Sequence, residues 1–282
     1  MKLVRFGAKG AEKPGIIDTD GAIRDLSGHC GDFVDAGVSI EALNKIRTID
    51  MTSLPLAPAG SRLGAVLGRV NNFIAVGLNF VDHAHESNLP IPKEPILFNK
   101  APSALAGPDD DYVIPPGSVK SDWEVELAII IGKPAYQITE AEALAHVAGF
   151  AVCNDISERA WQTESTGQWV KGKAAPGSGP LGPWLVTPDE IADIQSLDMF
   201  LDLNGKRMQT GNTSTMIFGA AFVVAYISKF WLLEPGDVIT TGTPPGVGMG
   251  MKPPVYLKAG DIMHLGIAGL GEQKQTCVAY SG

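Results

Sequence analysis

Cysteine is scarce in this sequence: Cys30, Cys153 and Cys277 are an odd number and lie far apart. Neither a disulfide framework nor a C-x-x-C metal site can be assembled from them, and they read as small buried residues. Long apolar runs are missing as well. No stretch approaches the roughly 20 residues that span a bilayer. The opening MKLVRFGAKGAEKPG carries no apolar segment of the signal-peptide kind. A soluble cytoplasmic protein without a membrane partner is therefore expected. There is also no run of Lys and Arg, and 22 basic against 31 acidic residues leave a formal net charge of −9. A nucleic-acid partner requires a basic patch to neutralise phosphates, so none is expected, although small anions can still be bound locally.

Turn-forming residues, by contrast, are abundant. The 33 glycines and 20 prolines predict many turns and short strands rather than long helices. Strands and helices do not alternate regularly enough for a doubly wound sheet. The expected fold class is mixed α+β, mainly β, with a small N-terminal domain over residues 1–70 and a main domain over 71–282. In the first, Thr19-Asp20-Gly21 marks a hairpin and SIEALNKI a helix. In the second, NNFIAVGLNF, WEVELAIIIG and VAGFAVCNDIS read as buried strands. TEAEALAHV reads as a helix opened by a capping box of Thr139 and Glu142, and Asn204-Gly205 as a hairpin turn. TSTMIFGAAFVVAYISKFW, apolar nearly all round, predicts a buried helix.

Within that pattern, Glu124 and Glu126 stand at the mouth of an apolar strand. Residues two apart on a strand share a face, so the two carboxylates project side by side while Trp123, Val125 and Leu127 face the other way. Paired anions beside a core need a cation or a proton. Asp155 ends the segment GFAVCND and supplies a third carboxylate. Hard oxygen ligands without a His or Cys cluster suit Mg²⁺ or Mn²⁺ better than Zn²⁺. The same alternation also fits a solvated strand face paired with lysines. His83 and Glu86, three apart, share one face of a helical turn. They suit a general base that takes a proton from water, although such a pair by itself is more commonly a surface contact. Lys173 lies in a Gly/Pro-rich segment able to approach a ligand, though a solvated lysine fits too. The loop TGTPPGVG offers backbone N–H groups and the Thr243 hydroxyl to an anion, but lacks the lysine of a P-loop.

Taken in order, GLNFVDHAHE, EPILFNKAPSAL, DWEVELAIIIGK, GFAVCNDISERAWQ, KGK, GNTSTMIF and PGDVITTGTPPGVG resemble the fumarylacetoacetate hydrolase family. The resemblance runs over about residues 70–280, and the order and spacing of the motifs make it specific. Within the family the chain is most similar to bacterial hydrolases of 2,4-diketo-3-deoxy sugar acids, such as L-2,4-diketo-3-deoxyrhamnonate and its fuconate counterpart. The resemblance implies a β-sandwich roll behind a small N-terminal domain, and assembly as a homodimer or homotetramer. It implies Mg²⁺ or Mn²⁺ held by Glu124, Glu126 and Asp155, a catalytic dyad of His83 and Glu86, and substrate contacts from Arg159, Gln162, Lys173 and Thr243. Relatives tend to follow the lysine with a Ser/Cys-Asp-Thr/Phe segment, whereas this chain reads Ala174-Ala175-Pro176-Gly177-Ser178.

The implied activity is metal-dependent hydrolysis of the C3–C4 bond of a 2,4-dioxo acid, which for the rhamnonate compound gives pyruvate and L-lactate. Oxaloacetate decarboxylation, acylpyruvate hydrolysis and keto–enol isomerisation would use the same enolate. A dyad that activates water favours hydrolysis among them. Outside the enzymes, a 2-oxo acid binding protein that has kept the metal and lost turnover would preserve the same carboxylates.

Overall fold

The computed structural model describes residues 1–82 and 90–282. Its strands are β1 (Lys2–Phe6), β2 (Lys13–Ile17), β3 (Ile23–Asp25), β4 (Phe73–Gly77), β5 (Ile96–Lys100), β6 (Leu105–Ala106), β7 (Tyr112–Ile114), β8 (Ser121–Asp122) and β9 (Val125–Ile131). They continue with β10 (Val147–Asn154), β11 (Ser157–Glu158), β12 (Gly179–Val186), β13 (Asp198–Leu203), β14 (Lys206–Asn212), β15 (Val238–Thr240), β16 (Ile262–Ile267) and β17 (Gly271–Ala279). The helices are short: α1 (Ile40–Arg47), α2 (Glu140–Ala143), α3 (Arg159–Thr163), α4 (Val170–Lys173) and α5 (Ala220–Ser228). The class is mixed α+β with strands in the majority, as expected. A ten-stranded sheet runs β3-β2-β1-β12-β10-β9-β15-β4-β5, with β6 added on β12, and a five-stranded sheet runs β14-β13-β16-β17-β7.

Local signals account for several elements. Asn204 and Gly205 both have positive φ (53° and 78°) and turn β13 into β14, which is the primed-turn geometry of tight hairpins. Ser39 caps α1 by accepting from Ala42 N, and Thr139 and Glu142 close the capping box of α2. The boundary expected near residue 70 falls in the connection before β4. Across it, β1 pairs antiparallel with β12, Leu3 opposite Leu185.

β9 sits in the middle of the large sheet and is buried along its whole length. Its Val125, Leu127, Ile129 and Ile131 enter one apolar cluster with Leu201, Met263 and Leu265. Ala128 and Ile130 enter another with Phe33, Leu43 and Leu67. Burial on both faces is why the strand reads as a continuous apolar run, and each large side chain stabilises the fold by about 1.5–3 kcal/mol. Glu126 shares the face of Ala128 and Ile130, so its charge lies over a packed interior.

The helix expected to be buried all round is buried on one side only. Val223, Val224 and Ile227 of α5 pack inward. Phe218, Phe222, Tyr226 and Phe230 stand four residues apart; the first three stack successively and Phe230 meets Tyr226 edge to face, with ring centroids 5.2, 6.0 and 5.3 Å apart. Aromatic rings at that spacing cover one another, so an apolar outer face is held without a core above it. Among the described residues no helix is long and apolar enough to cross a membrane.

Candidate metal and substrate site

The β9–β10 register sets Glu126 opposite Cys153 and Val125 opposite Asn154. One step further, Asp155 N donates to Glu124 O at 2.9 Å. Residues directly opposite on antiparallel strands share a face, so Glu124, Glu126 and Asp155 converge. All are buried (5%, 2% and 0% exposed), and one carboxylate oxygen from each lies within 4.8 Å of the others. Asn154 clamps the corner: its Oδ1 accepts from Glu124 N (3.1 Å) and its Nδ2 donates to Gln275 Oε1 (3.0 Å).

Three buried cations answer these acids. Lys173 Nζ donates to Glu124 Oε2 and to Asp155 Oδ2, both at 2.6 Å. Lys100 Nζ donates to Lys173 O (2.7 Å). It also approaches Asp155 Oδ1 to 2.6 Å, though not at an angle that makes a hydrogen bond, so this buried oxygen accepts none. Arg159 donates through Nε to Asp122 Oδ2 (2.8 Å) and through Nη1 to Gln162 Oε1 (3.0 Å), and its Nη2 lies 2.6 Å from Glu124 Oε1. Burial acts against the charged forms of Arg159 and Lys173, but neighbouring carboxylates outweigh it and raise both pKa values. Burial, then Asp155 and Glu124, push the Glu126 carboxyl well above its ordinary range.

Among the described residues, counting Asp122, Glu124, Glu126 and Asp155 against Lys100, Lys173 and Arg159, four acids face three cations. The site is one positive charge short, and Glu126 is where the shortage is felt. A divalent ion bonding oxygen at about 2.0–2.6 Å fits such a donor set. The buried oxygen of Asp155 that accepts no hydrogen bond fits it as well.

The loop after β15 closes the cluster. Gly242 N donates to Glu126 Oε2 at 2.8 Å. Its φ is +92°, and a Cβ would stand 2.9 Å from Asn79 Cβ, so only glycine serves there. Thr243 gives its hydroxyl proton to Val125 O (2.9 Å) and accepts from Gln209 Nε2 (2.8 Å), so the proton expected to serve an anion is committed to the backbone. Glu124, Glu126, Arg159, Gln162, Lys173 and Thr243 nevertheless line one cavity of about 400 Å³.

Several expectations need adjustment. Lys173 was expected in a loop but ends α4, a single turn. The departing segment after it folds back as a turn, with Ser178 Oγ donating to Lys173 O (3.3 Å) and lying 3.3 Å from Lys100 Nζ. His83 and Glu86 lie outside the described residues. Two residues were overlooked. Asp122 accepts from Gly248 N (2.6 Å) and Met249 N (3.0 Å) as well as from Arg159, tying the arginine to the loop that borders the cavity. Its signal was present, since Asp122, Glu124 and Glu126 continue one alternation. Lys100, 2% exposed, gave no such signal.

Residues 72–278 match the family model for the C-terminal part of fumarylacetoacetate (FAA) hydrolase. A Burkholderia multivorans protein, named provisionally as a hydrolase, is 56% identical over 276 residues that cover 98% of each chain. Among solved structures, the fumarylacetoacetate hydrolase of the psychrophilic Exiguobacterium antarcticum is 34% identical with a TM-score of 0.87, covering 99% of this chain and all (100%) of that one. The maleylpyruvate hydrolase of Sphingobium sp. SYK-6, solved with manganese(II) and pyruvate, is 29% identical with a TM-score of 0.82 and 100% coverage of both chains.

Proposed function

Since the chain belongs to the fumarylacetoacetate hydrolase family, we propose that it hydrolyses the C3–C4 bond of a 2,4-dioxo acid, with Mg²⁺ or Mn²⁺ held by Glu124, Glu126 and Asp155. The observation that carries this reading is the convergence of the three buried carboxylates of Glu124, Glu126 and Asp155, which with Asp122 exceed their cations among the described residues by one charge, at a cavity that Glu124, Glu126, Lys173 and Arg159 line. A divalent ion bound there supplies a Lewis acid for the carboxylate and 2-oxo oxygens of the substrate.

The chain's own residues do the rest. Lys173 uses two of its three N–H donors on Glu124 and Asp155, which leaves one for a substrate oxygen. Its fixed ammonium stabilises negative charge as it develops on the departing enolate. Arg159 holds Gln162 and Glu124 in place around the same cavity. His83, with Glu86 to orient it, takes a proton from water. Hydroxide adds to C4, the C3–C4 bond breaks with its electron pair moving to C3, and the proton is returned to C3. Water and the dioxo acid thus become pyruvate and a second carboxylic acid. In the narrower form suggested by the sequence, the substrate is L-2,4-diketo-3-deoxyrhamnonate and the second acid is L-lactate.

A lactate dehydrogenase-coupled assay tests the reading. Pyruvate release from acetylpyruvate, benzoylpyruvate or the rhamnonate compound is expected with Mg²⁺ and not with excess EDTA, and turnover that persists in chelator overturns it. Oxaloacetate serves as the control for a decarboxylase. His83→Asn is expected to lower kcat about 10²–10⁴-fold while Mg²⁺ binding, followed by calorimetry, is retained. Undiminished hydrolysis by that variant would remove His83 from the mechanism.

A further inference from the structure

Resting on that reading of the site, we propose that Trp169 decides which acyl group the cavity accepts. With Phe98 it forms an aromatic wall that selects planar, apolar tails over polyhydroxylated ones.

Trp169 and Lys173 are four residues apart, at the cap and the last position of α4, and therefore share a face of that turn. The turn is fixed from below: at Gly172 a Cβ would stand 2.5 Å from Glu158 O and 2.6 Å from Gln162 Cβ. The indole is fixed from the side, because a Cβ on Gly77 would stand 2.4 Å from Trp169 Cζ3. Gly77 is thus the seat of the ring. Phe98 meets Trp169 edge to face, with centroids 5.3 Å apart at 63°, and lies beneath the ammonium of Lys173, 5.3 Å from Nζ to the ring centroid. Wall and ammonium are therefore one packed unit, and a substrate held at Lys173 has its acyl group within reach of the two rings.

The remaining lining has the same character. Among the described residues, Val76, Leu78, Phe98, Trp169, Met249 and Met251 make up its apolar side chains. Thr163 also lines it, but gives its hydroxyl proton to Arg159 O at 2.9 Å, so among the described residues Lys252 is the polar side chain of the lining left over beyond the glutamates and the substrate contacts Arg159, Gln162, Lys173 and Thr243. Hydroxyl groups of a sugar-acid tail would leave water for surfaces that return few hydrogen bonds. An unsaturated or aromatic acyl group loses no hydrogen bonds there and packs against both rings. The tail preference thus departs from the deoxy sugar acid suggested by the sequence, while the dioxo acid head is unchanged.

The test compares benzoylpyruvate, acetylpyruvate and L-2,4-diketo-3-deoxyrhamnonate on the full chain with Mg²⁺, in the wild type, Trp169→Ala and Gly77→Ala. Turnover is read as pyruvate, and binding by calorimetry in a His83→Asn background. Benzoylpyruvate is expected to exceed the sugar acid by about tenfold or more in kcat/KM. Each variant is expected to weaken benzoylpyruvate by about tenfold, mainly in KM and Kd, and to affect acetylpyruvate much less. Gly77→Ala keeps the indole and only displaces it, so it carries the test if Trp169→Ala does not fold. Equal losses for all three compounds, or a preference for the sugar acid, overturn the proposal. If no compound releases pyruvate, hydrolysis is wrong and binding decides the subsite. Benzoylpyruvate affinity that depends on Trp169 then supports the aromatic wall, and affinity indifferent to it removes the wall.

Discussion

Lys173→Met is expected to destabilise the metal-free protein by about 3–5 kcal/mol, the usual cost of leaving buried charge without its partner. The ammonium lies 2.6 Å from both Glu124 Oε2 and Asp155 Oδ2, where Asp155 is fully buried and Glu124 nearly so. Without it, among the described residues Asp122, Glu124, Glu126 and Asp155 face only Lys100 and Arg159. Saturating Mg²⁺ should restore part of the lost stability, since two positive charges enter the same cluster. It should not restore turnover, which is expected to stay down about 10²–10³-fold because the donor proposed for the enolate is gone. Urea unfolding with EDTA and with Mg²⁺, alongside steady-state assays, separates the two effects. Identical midpoints for variant and wild type in EDTA would mean that Lys173 is not the counter-charge of this site.

Glu126→Gln is expected to act on stability with the opposite sign. Burial first, and then Asp155 and Glu124, raise the Glu126 pKa well above 4.5. Above about pH 4.5 the unfolded chain has released this proton while the folded one still holds it. The folded state then binds more protons, so stability falls as pH rises through the folded pKa. Glutamine cannot ionise, and its amide oxygen can still accept from Gly242 N. The metal-free variant should therefore equal or exceed the wild type in thermal stability at pH 8, with a smaller decline between pH 5 and pH 8. Metal-dependent turnover should nevertheless drop about 10²–10³-fold or more, because a proposed charged ligand is lost. Melting curves in EDTA at the two pH values, together with Mg²⁺ titrations of activity, check both halves. A glutamine variant that keeps full Mg²⁺-dependent activity would exclude Glu126 as a ligand.

These opposite signs arise from one feature, the mismatch of four acids and three cations, and the sequence displayed only half of it. Alternation made Glu124 and Glu126 neighbours on one face, and the same alternation reaches back to Asp122. The cations were harder to see. Lys100 ends a half-exposed strand and Lys173 sits among glycines and prolines, where a solvated lysine is the ordinary expectation. Long flexible side chains reach their partners through space, and nothing in their sequence surroundings records the destination. The same holds for α5: its composition showed an apolar helix, but which side would be covered depended on what packs against it.

By itself the sequence determined the local elements: the Asn204-Gly205 hairpin, the capping box of Thr139 and Glu142, and the side-by-side projection of Glu124 and Glu126. Each follows from backbone preferences or a two-residue period that act within a few positions. The family resemblance grouped Asp155 with the glutamates, but only the tertiary structure decided that their oxygens converge within 4.8 Å, that Lys100 and Lys173 neutralise them, and that Gly77 seats the ring of Trp169. Those distances are set by the pairing of β9 with β10, by the packing of α4 against α3 and β5, and by the seating of Trp169 on Gly77 of β4. Such contacts join segments far apart in the chain, and local propensity does not encode their register.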